Sequence, residues 1–240
     1  MAQRVLSSLP QEDYQRLLPD LHHVNLPLGE VVYESSRQMD HVYFPTTCLI
    51  SLLHTMNDGS IAEMGVVGND GMVGIALFLG GITRPNRALV QIGGHALRLS
   101  SKILREEFTR LGPLHDCLLR YTQALLTQVS QTAVCNRLHS VEQRLCRWLL
   151  LSHDRVPSDE IAMTQEFIAT MLGGRRESVT IAAGHLQGAG LIDYSRGHIR
   201  ILDRQGLERQ VCECYQVVKV ESDRLLGASG KPLSRSARSA

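Results

Sequence analysis

Apolar residues between Met163 and Leu186 fall into two stripes at steps of three and four, Phe167, Ile168, Met171 and Leu172 in the first and Val179, Ala182, Ala183 and Leu186 in the second. That period gives each segment one face to bury, so two short amphipathic helices are predicted. Gly173 and Gly174 separate them, at a sharp helix end where positive φ is needed and glycine tolerates it. The second helix opens with Arg175, Arg176, Glu177, Ser178, Thr180 and Ile181 on the face not used for packing. Guanidinium, carboxylate, hydroxyl and methyl groups are the chemistry that meets base edges and phosphates, so the pair reads as a helix-turn-helix. An ordinary helical pair with its arginines on a solvated face has the same periodicity. The next segment, Leu191 to Leu202, alternates apolar and polar residues on either side of Ser195-Arg196-Gly197. This predicts a β-hairpin closed by a glycine turn, which makes the unit a winged helix.

Upstream, from about residue 23 to 103, the pattern shortens to runs such as Val31–Tyr33, His41–Phe44, Cys48–Leu53, Ala62–Val67 and Ala88–Ile92. Turn signals at Asn57-Asp-Gly59, Gly68-Asn-Asp-Gly71 and Gly93-Gly94 fall between them, which predicts an antiparallel jelly roll or small barrel. From Pro113 to Leu138 the period becomes helical, with Leu114, Leu118, Tyr121, Leu125 and Val129 on one seam. A seam on so long a helix suits a two-fold dimer interface, although a core helix of the same chain gives the same spacing. Val141 to Leu151 reads as a further helix, His153 to Pro157 as a hinge, Arg204 to Leu226 as one more helix, and 227–240 as a disordered tail carrying Lys231, Arg235 and Arg238. The expected organisation is α+β: a β domain over 1–112, a dimerisation helix over 113–139, a winged helix-turn-helix over 140–226, then the tail.

Composition narrows the function classes. With 43% hydrophobic and 20% charged residues and a net charge of +1, the 240-residue chain is an ordinary globular protein without a global basic signal. DNA affinity must then come from a local patch. No run approaches the eighteen or so apolar residues that span a bilayer, and residues 1–10 lack the apolar core of a secretory signal, so a cytoplasmic protein with no membrane partner is expected. The cysteines, Cys48, Cys117, Cys135, Cys146, Cys212 and Cys214, show no Cys-x-x-Cys pair and no zinc-ligand spacing. Cys212 and Cys214, placed on a helix, point about 200° apart, which is poor for chelation. A structural role, with no metal, is the expectation.

The order of β domain, long helix and winged helix, with Leu172-Gly173, Arg176-Glu177-Ser178-Val179, Leu186 and Gly190-Leu191-Ile192, resembles the CRP/FNR family of bacterial transcription regulators over nearly the whole chain. The resemblance implies a homodimer on double-stranded DNA, with RNA polymerase and a small-molecule effector as further partners. It also implies that Arg176 pairs with a guanine, that Glu177 accepts from a cytosine amino group and that Thr164 holds a phosphate. Gln165, Arg175, Ser178, Thr180, Ile181 and Arg196 complete the DNA-facing set. Where the cyclic-AMP receptor has a second base-reading arginine, this chain has Ile181, which offers only a methyl contact.

The effector region departs further. The family's Gly-Glu step for a ribose hydroxyl is replaced by Val73-Gly74-Ile75, and its Arg-Ser/Thr-Ala step for a cyclic phosphate by Asn86-Arg87-Ala88. A buried phosphate without its cation and amide cradle costs several kcal/mol, so cyclic-nucleotide binding is not expected unless Arg84 or Arg87 shifts in to compensate. The cofactor stays unknown, since the cysteines of an FNR-type cluster are missing and the histidines of the β region, His22, His23, His41, His54 and His95, mark no haem site. The alternative class is a cupin-like small-molecule-binding protein or enzyme with a helical dimerisation module, but none of these histidines has cupin metal spacing and no catalytic triad or phosphate loop is present. An adaptor that binds protein through its β domain is a third reading.

Overall fold

The computed structural model describes residues 3–35, 39–81 and 86–227. Arg84 and the tail from 228 onward, with Lys231, Arg235 and Arg238, lie outside the described residues. Two short helices, α1 (Arg4–Ser7) and α2 (Gln11–Leu17), precede seven strands: β1 (His22–Leu26), β2 (Val31–Tyr33), β3 (His41–Pro45), β4 (Leu49–Thr55), β5 (Ile61–Val67), β6 (Asn86–Ile92) and β7 (Gly94–Ser100). They form two antiparallel sheets, ordered β1-β7-β3 and β2-β6-β4-β5. The inner faces, with Val42, Phe44, Ile50, Leu52, Val90 and Leu99, close a core between the sheets. Ser100 then caps α3 (Ser101–Thr109) by accepting from the Lys102 amide.

Helix α4 (Pro113–Leu138) starts on a proline, whose missing N–H costs nothing at the first helical position. Its predicted seam is buried inside this chain. Leu114, Leu118, Tyr121 and Leu125 belong to the β-sheet core, Val129 packs at its edge, and the Tyr121 hydroxyl donates to the Met72 carbonyl at 2.8 Å. Further along, Gln128 clamps the edge of β5, its Nε2 donating to Val66 O at 3.0 Å and its Oε1 accepting from Val66 N at 3.3 Å. The seam is thus occupied within this chain, and the dimer role predicted for it does not fit. The opposite face leaves Leu119, Leu126, Val134 and Leu138 exposed.

Helix α5 (Val141–His153) begins with a capping box between Ser140 and Gln143. After it come β8 (Glu160–Ala162), α6 (Gln165–Leu172), α7 (Arg176–Gly188), β9 (Ile192–Ser195), β10 (His198–Ile201), α8 (Arg204–Gln210) and α9 (Glu213–Leu226). The last two replace the single helix expected over Arg204–Leu226, because Val211 turns to extended φ/ψ and Cys212 caps the next helix from outside it. A second core joins Leu145, Leu149, Ile168, Val179, Leu186 and Ile199, and it also takes in Leu49 and Val66 from the β4–β5 sheet. The winged-helix region therefore packs on the outer face of that sheet.

The segment predicted as a hinge is pinned instead. Arg155 pairs with Asp70 of the β region at 2.8 Å and donates to Leu151 O, and Asp154 takes Arg204 at 2.5 Å while His153 sits 2.6 Å from Asp159. Gly68 is needed for this closeness, because a Cβ there would fall 2.4 Å from the Cβ of Arg155. Across strands β4, β5 and β6, Ser51 Oγ lies 2.7 Å from both Glu63 Oε2 and Gln91 Oε1. One hydroxyl hydrogen serves only one of them, so a protonated Glu63 donating to Ser51, which donates to Gln91, satisfies all three. Burial pushes the Glu63 carboxyl up to about 7 in keeping with that arrangement.

Candidate nucleic-acid interface

Helices α6 and α7 meet through the turn that the glycines predict. The Thr164 side chain caps α6 by accepting from Phe167 N at 3.2 Å, and Gly173 ends the helix in the left-handed region at φ 60°. Arg144 of α5 donates to the Leu172 carbonyl at 2.6 Å, which satisfies an acceptor at the open end of α6. The stripe Val179, Ala182, Ala183 and Leu186 goes into the core and fixes which face of α7 looks outward. Arg175, Arg176, Glu177, Thr180 and Ile181 are exposed, Ile181 at 60%, while Ser178 and Gln165 are half-buried.

The polar groups on that face divide into two sorts. The Thr180 hydroxyl donates to Gln165 Oε1 at 2.8 Å and so ties the start of α6 to the first turns of α7. Among the described residues, the side chains of Arg175, Arg176, Glu177 and Arg196 make no hydrogen bond or ion pair. Elsewhere most arginines have partners, as with Arg16 and Glu107, Arg204 and Asp154, or Arg224 and Glu221. Unpaired cations at one place are a surface held ready for an anion.

The hairpin β9–β10 turns over Arg196 and Gly197, both at positive φ, 51° and 79°, the signature of a tight two-residue turn whose twist matches the strands. β8 adds a third strand beside β10. Met163 N donates to Gly197 O at 2.6 Å and the Tyr194 hydroxyl donates to Met163 O at 3.0 Å, so the wing tip is fastened to the segment that leads into α6. Between wing and helices lies a cavity of about 600 Å³ lined by Thr164, Gln165, Glu166, Arg176, Tyr194, Arg196 and Gly197. Four of the predicted DNA-facing positions thus converge on it: Thr164, Gln165, Arg176 and Arg196. Tyr194 and Glu166 were missed by the sequence reading. Tyr194 carries a signal in retrospect, as the aromatic residue of an alternating strand beside the turn.

The predicted effector residues assemble differently. Val73 and Ala88 are core residues between the sheets and Ile75 packs against them. Gly74, at φ 132°, closes on Val42, whose Cγ1 would lie 2.5 Å from an added Cβ. Asn86 accepts from the Tyr33 hydroxyl at 3.4 Å, and Arg87 lies 3.9 Å from Glu34. A cavity of about 290 Å³ in the β region has Val31, Tyr33, Met39, His41 and Tyr43 in its described lining and none of the predicted effector residues.

Residues 143–210 match the family model of the Crp-like helix-turn-helix domain. No curated protein matches the chain. Among solved structures, FixK2 from Bradyrhizobium japonicum superposes with a TM-score of 0.65 at 16% identity, covering 80% of this chain and 98% of that one. A CRP-family transcriptional regulator from Thermus thermophilus gives 0.64 at 20% identity over 78% and 95% of the two chains. The c-di-GMP-responsive global regulator CLP from Xanthomonas campestris gives 0.62 at 19% identity over 81% and 100%. No described helix is long and apolar enough to cross a membrane. With two antiparallel sheets, a long helix and a Crp-like helix-turn-helix domain over residues 143–210 in that order, the chain has the fold of these CRP/FNR-family structures.

Proposed function

We propose that the protein binds a pseudo-palindromic DNA site as a homodimer and reads it with α7 in the major groove. The observation that carries this reading is the exposed, unpaired set Arg175, Arg176, Glu177 and Arg196, of which Arg176 and Arg196 line one cavity between wing and helices. Arg176 donates to a guanine edge and Glu177 accepts from a cytosine amino group, contacts that discriminate by about 1–3 kcal/mol each. Arg175 and Arg196 neutralise phosphates on either side. Thr164 already accepts from a backbone amide, which leaves its hydroxyl hydrogen for a phosphate oxygen. No side chain caps α7, so its first amide groups also serve the backbone. Ile181 meets a thymine methyl.

Dimerisation uses the outward face of α4, with Leu119, Leu126, Val134 and Leu138, since the inward face is filled. Two-fold pairing along these helices places the two readers about 34 Å apart, one turn of DNA. The β region acts as a platform for the reader rather than as a cyclic-nucleotide receptor, because the positions of the ribose and phosphate contacts are packed or paired. Selection from random duplex DNA with the ligand-free protein, followed by a salt series, tests the reading. Enrichment of a palindrome that Arg176→Ala no longer prefers is expected; enrichment left unchanged by Arg176→Ala overturns the assignment.

A further inference from the structure

One cluster of side chains serves neither the reading face nor the two large cores. Cys135 lies in the last turns of α4 and His139 follows as its C-cap, while Cys212 precedes α9 as its N-cap and Cys214 lies in its first turn. The expectation that Cys212 and Cys214 diverge on a helix fails because Cys212 stands outside it, in extended conformation at ψ 163°. One ligand atom from each of the four residues lies within 4.8 Å of all the others.

The distances discriminate among chemistries. Cys135 Sγ is 3.6 Å from Cys212 Sγ, far beyond the roughly 2.05 Å of a disulfide. Cys214 Sγ is 3.5 Å from Nδ1 of His139. Metal–sulfur bonds of about 2.3 Å and metal–nitrogen bonds of about 2.0–2.1 Å set tetrahedron edges of about 3.8 Å between two sulfurs and roughly 3.5–3.6 Å between sulfur and nitrogen, close to the 3.6 and 3.5 Å of these two pairs. The outer nitrogen of the same imidazole, Nε2, lies 3.4 Å from Glu213 Oε2. A carboxylate on the far nitrogen is what orients a ligating histidine and keeps its inner lone pair free. All three thiols are buried and His139 is half-buried, so an ion here is shielded from water. Four ligands this close enclose one ion and leave no room for a multi-iron cluster.

We propose that Cys135, His139, Cys212 and Cys214 form a tetrahedral site for a single thiophilic divalent ion, zinc being the metal that three thiolates and an imidazole favour. The ion joins the end of the long helix to the start of the last one across 77 residues of sequence. Its position is the junction where α4 leaves the β region and α5 begins the reader, so it sets how firmly the reader is held rather than what it reads. The inference is independent of the DNA-binding proposal.

The test is metal analysis of full-length protein purified under reducing conditions without chelator, with a cobalt titration of the metal-free chain. One zinc per chain is expected, together with one Co²⁺ that gives thiolate-to-cobalt charge transfer and intense tetrahedral d–d absorption and is displaced by added Zn²⁺. Cys214→Ser should remove the charge-transfer band in part and weaken binding at least tenfold, His139→Asn should shift the d–d bands, and Cys48→Ala, remote from the cluster, should leave both unchanged. A reduced wild-type chain that binds neither ion stoichiometrically overturns the site, whatever the variants do. So does a Cys135–Cys212 disulfide in the native protein, or a cobalt spectrum without thiolate charge transfer.

Discussion

The outer face of α7 and the segments Val73–Ile75 and Asn86–Ala88 are the two places where the sequence predicts contact with a ligand, and they treat polar groups in opposite ways. On α7 a guanidinium and a carboxylate stand exposed and unpaired, and the Arg176 side chain faces a cavity shared with the wing. In the β region the corresponding positions are apolar and packed, or their polar atoms are taken up by Tyr33 and Glu34. A polar surface left unpaired keeps its desolvation cost in reserve until a complementary partner meets it, whereas a filled one offers a ligand neither space nor donors. The contrast separates a region kept open for chemistry from one given over to support. Mutations in the two should therefore fail in different assays.

The largest effect is expected at the support. Arg155→Ala leaves Asp70 beside a nearly closed interface without its cation and should lower unfolding stability by about 3–5 kcal/mol in chemical denaturation. The sequence preference of whatever protein remains folded should be unchanged; an altered preference would break the division. Next, Arg176→Ala should cost about 1–3 kcal/mol of discrimination at one base pair of each half-site while the melting temperature stays the same, measured by competition binding on single-substituted duplexes. Leu126→Asp, on the exposed face of α4, should weaken dimerisation at least tenfold in sedimentation without unfolding the protomer; the same change at Leu118, which is fully buried, should unfold it.

The last effect is spread over a range of pH. Glu63 keeps its proton in the folded chain up to about 7, whereas an exposed carboxyl releases it near the ordinary value of 4.5. Between those values the unfolded chain binds fewer protons, so stability should fall as pH rises through the window, by at most about 1.4 kcal/mol per unit, and be unaffected by this group below it. Glu63→Gln should flatten that slope in thermal melts taken from pH 4.5 to 7.5. An equal slope in the variant would show that Glu63 is ionised in the fold.

What was legible in the sequence was local. The stripes of α6 and α7, the glycine turn, the wing and the long helix all follow from periods of a few residues, and the DNA-facing set follows from which residues the stripes leave outside. Periodicity finds an apolar face but does not say whose surface covers it, which is why the seam of α4 suggests a partner when the chain's own sheets occupy it. Strands β1 and β7 are hard to see in sequence because His22-His-Val-Asn-Leu26 and Gly94-His-Ala-Leu-Arg98 have little apolar alternation; pairing with each other defines them. The supposed hinge at His153–Pro157 has the composition of a loop, and only the partners Asp70 and Arg204, distant in sequence, show that it is fastened. The four residues of the thiol–imidazole cluster were hidden for the same reason. Cys135 and His139 are one helical turn apart and Cys212 and Cys214 nearly adjacent, but the packing of α4 on α9 is what joins the pairs.

Helix α4 is apolar on two opposite faces, one committed to its own sheets and the other proposed for a second copy, and this couples two properties that most proteins can vary separately. One residue inserted in its middle would turn everything beyond by about 100°, carrying buried leucines toward solvent and exposed ones toward the core together. Drift in the length of this helix is therefore closed to evolution except in steps near whole turns, and variation in partner choice must come from the identity of side chains at Leu119, Leu126, Val134 and Leu138 while the register stays fixed.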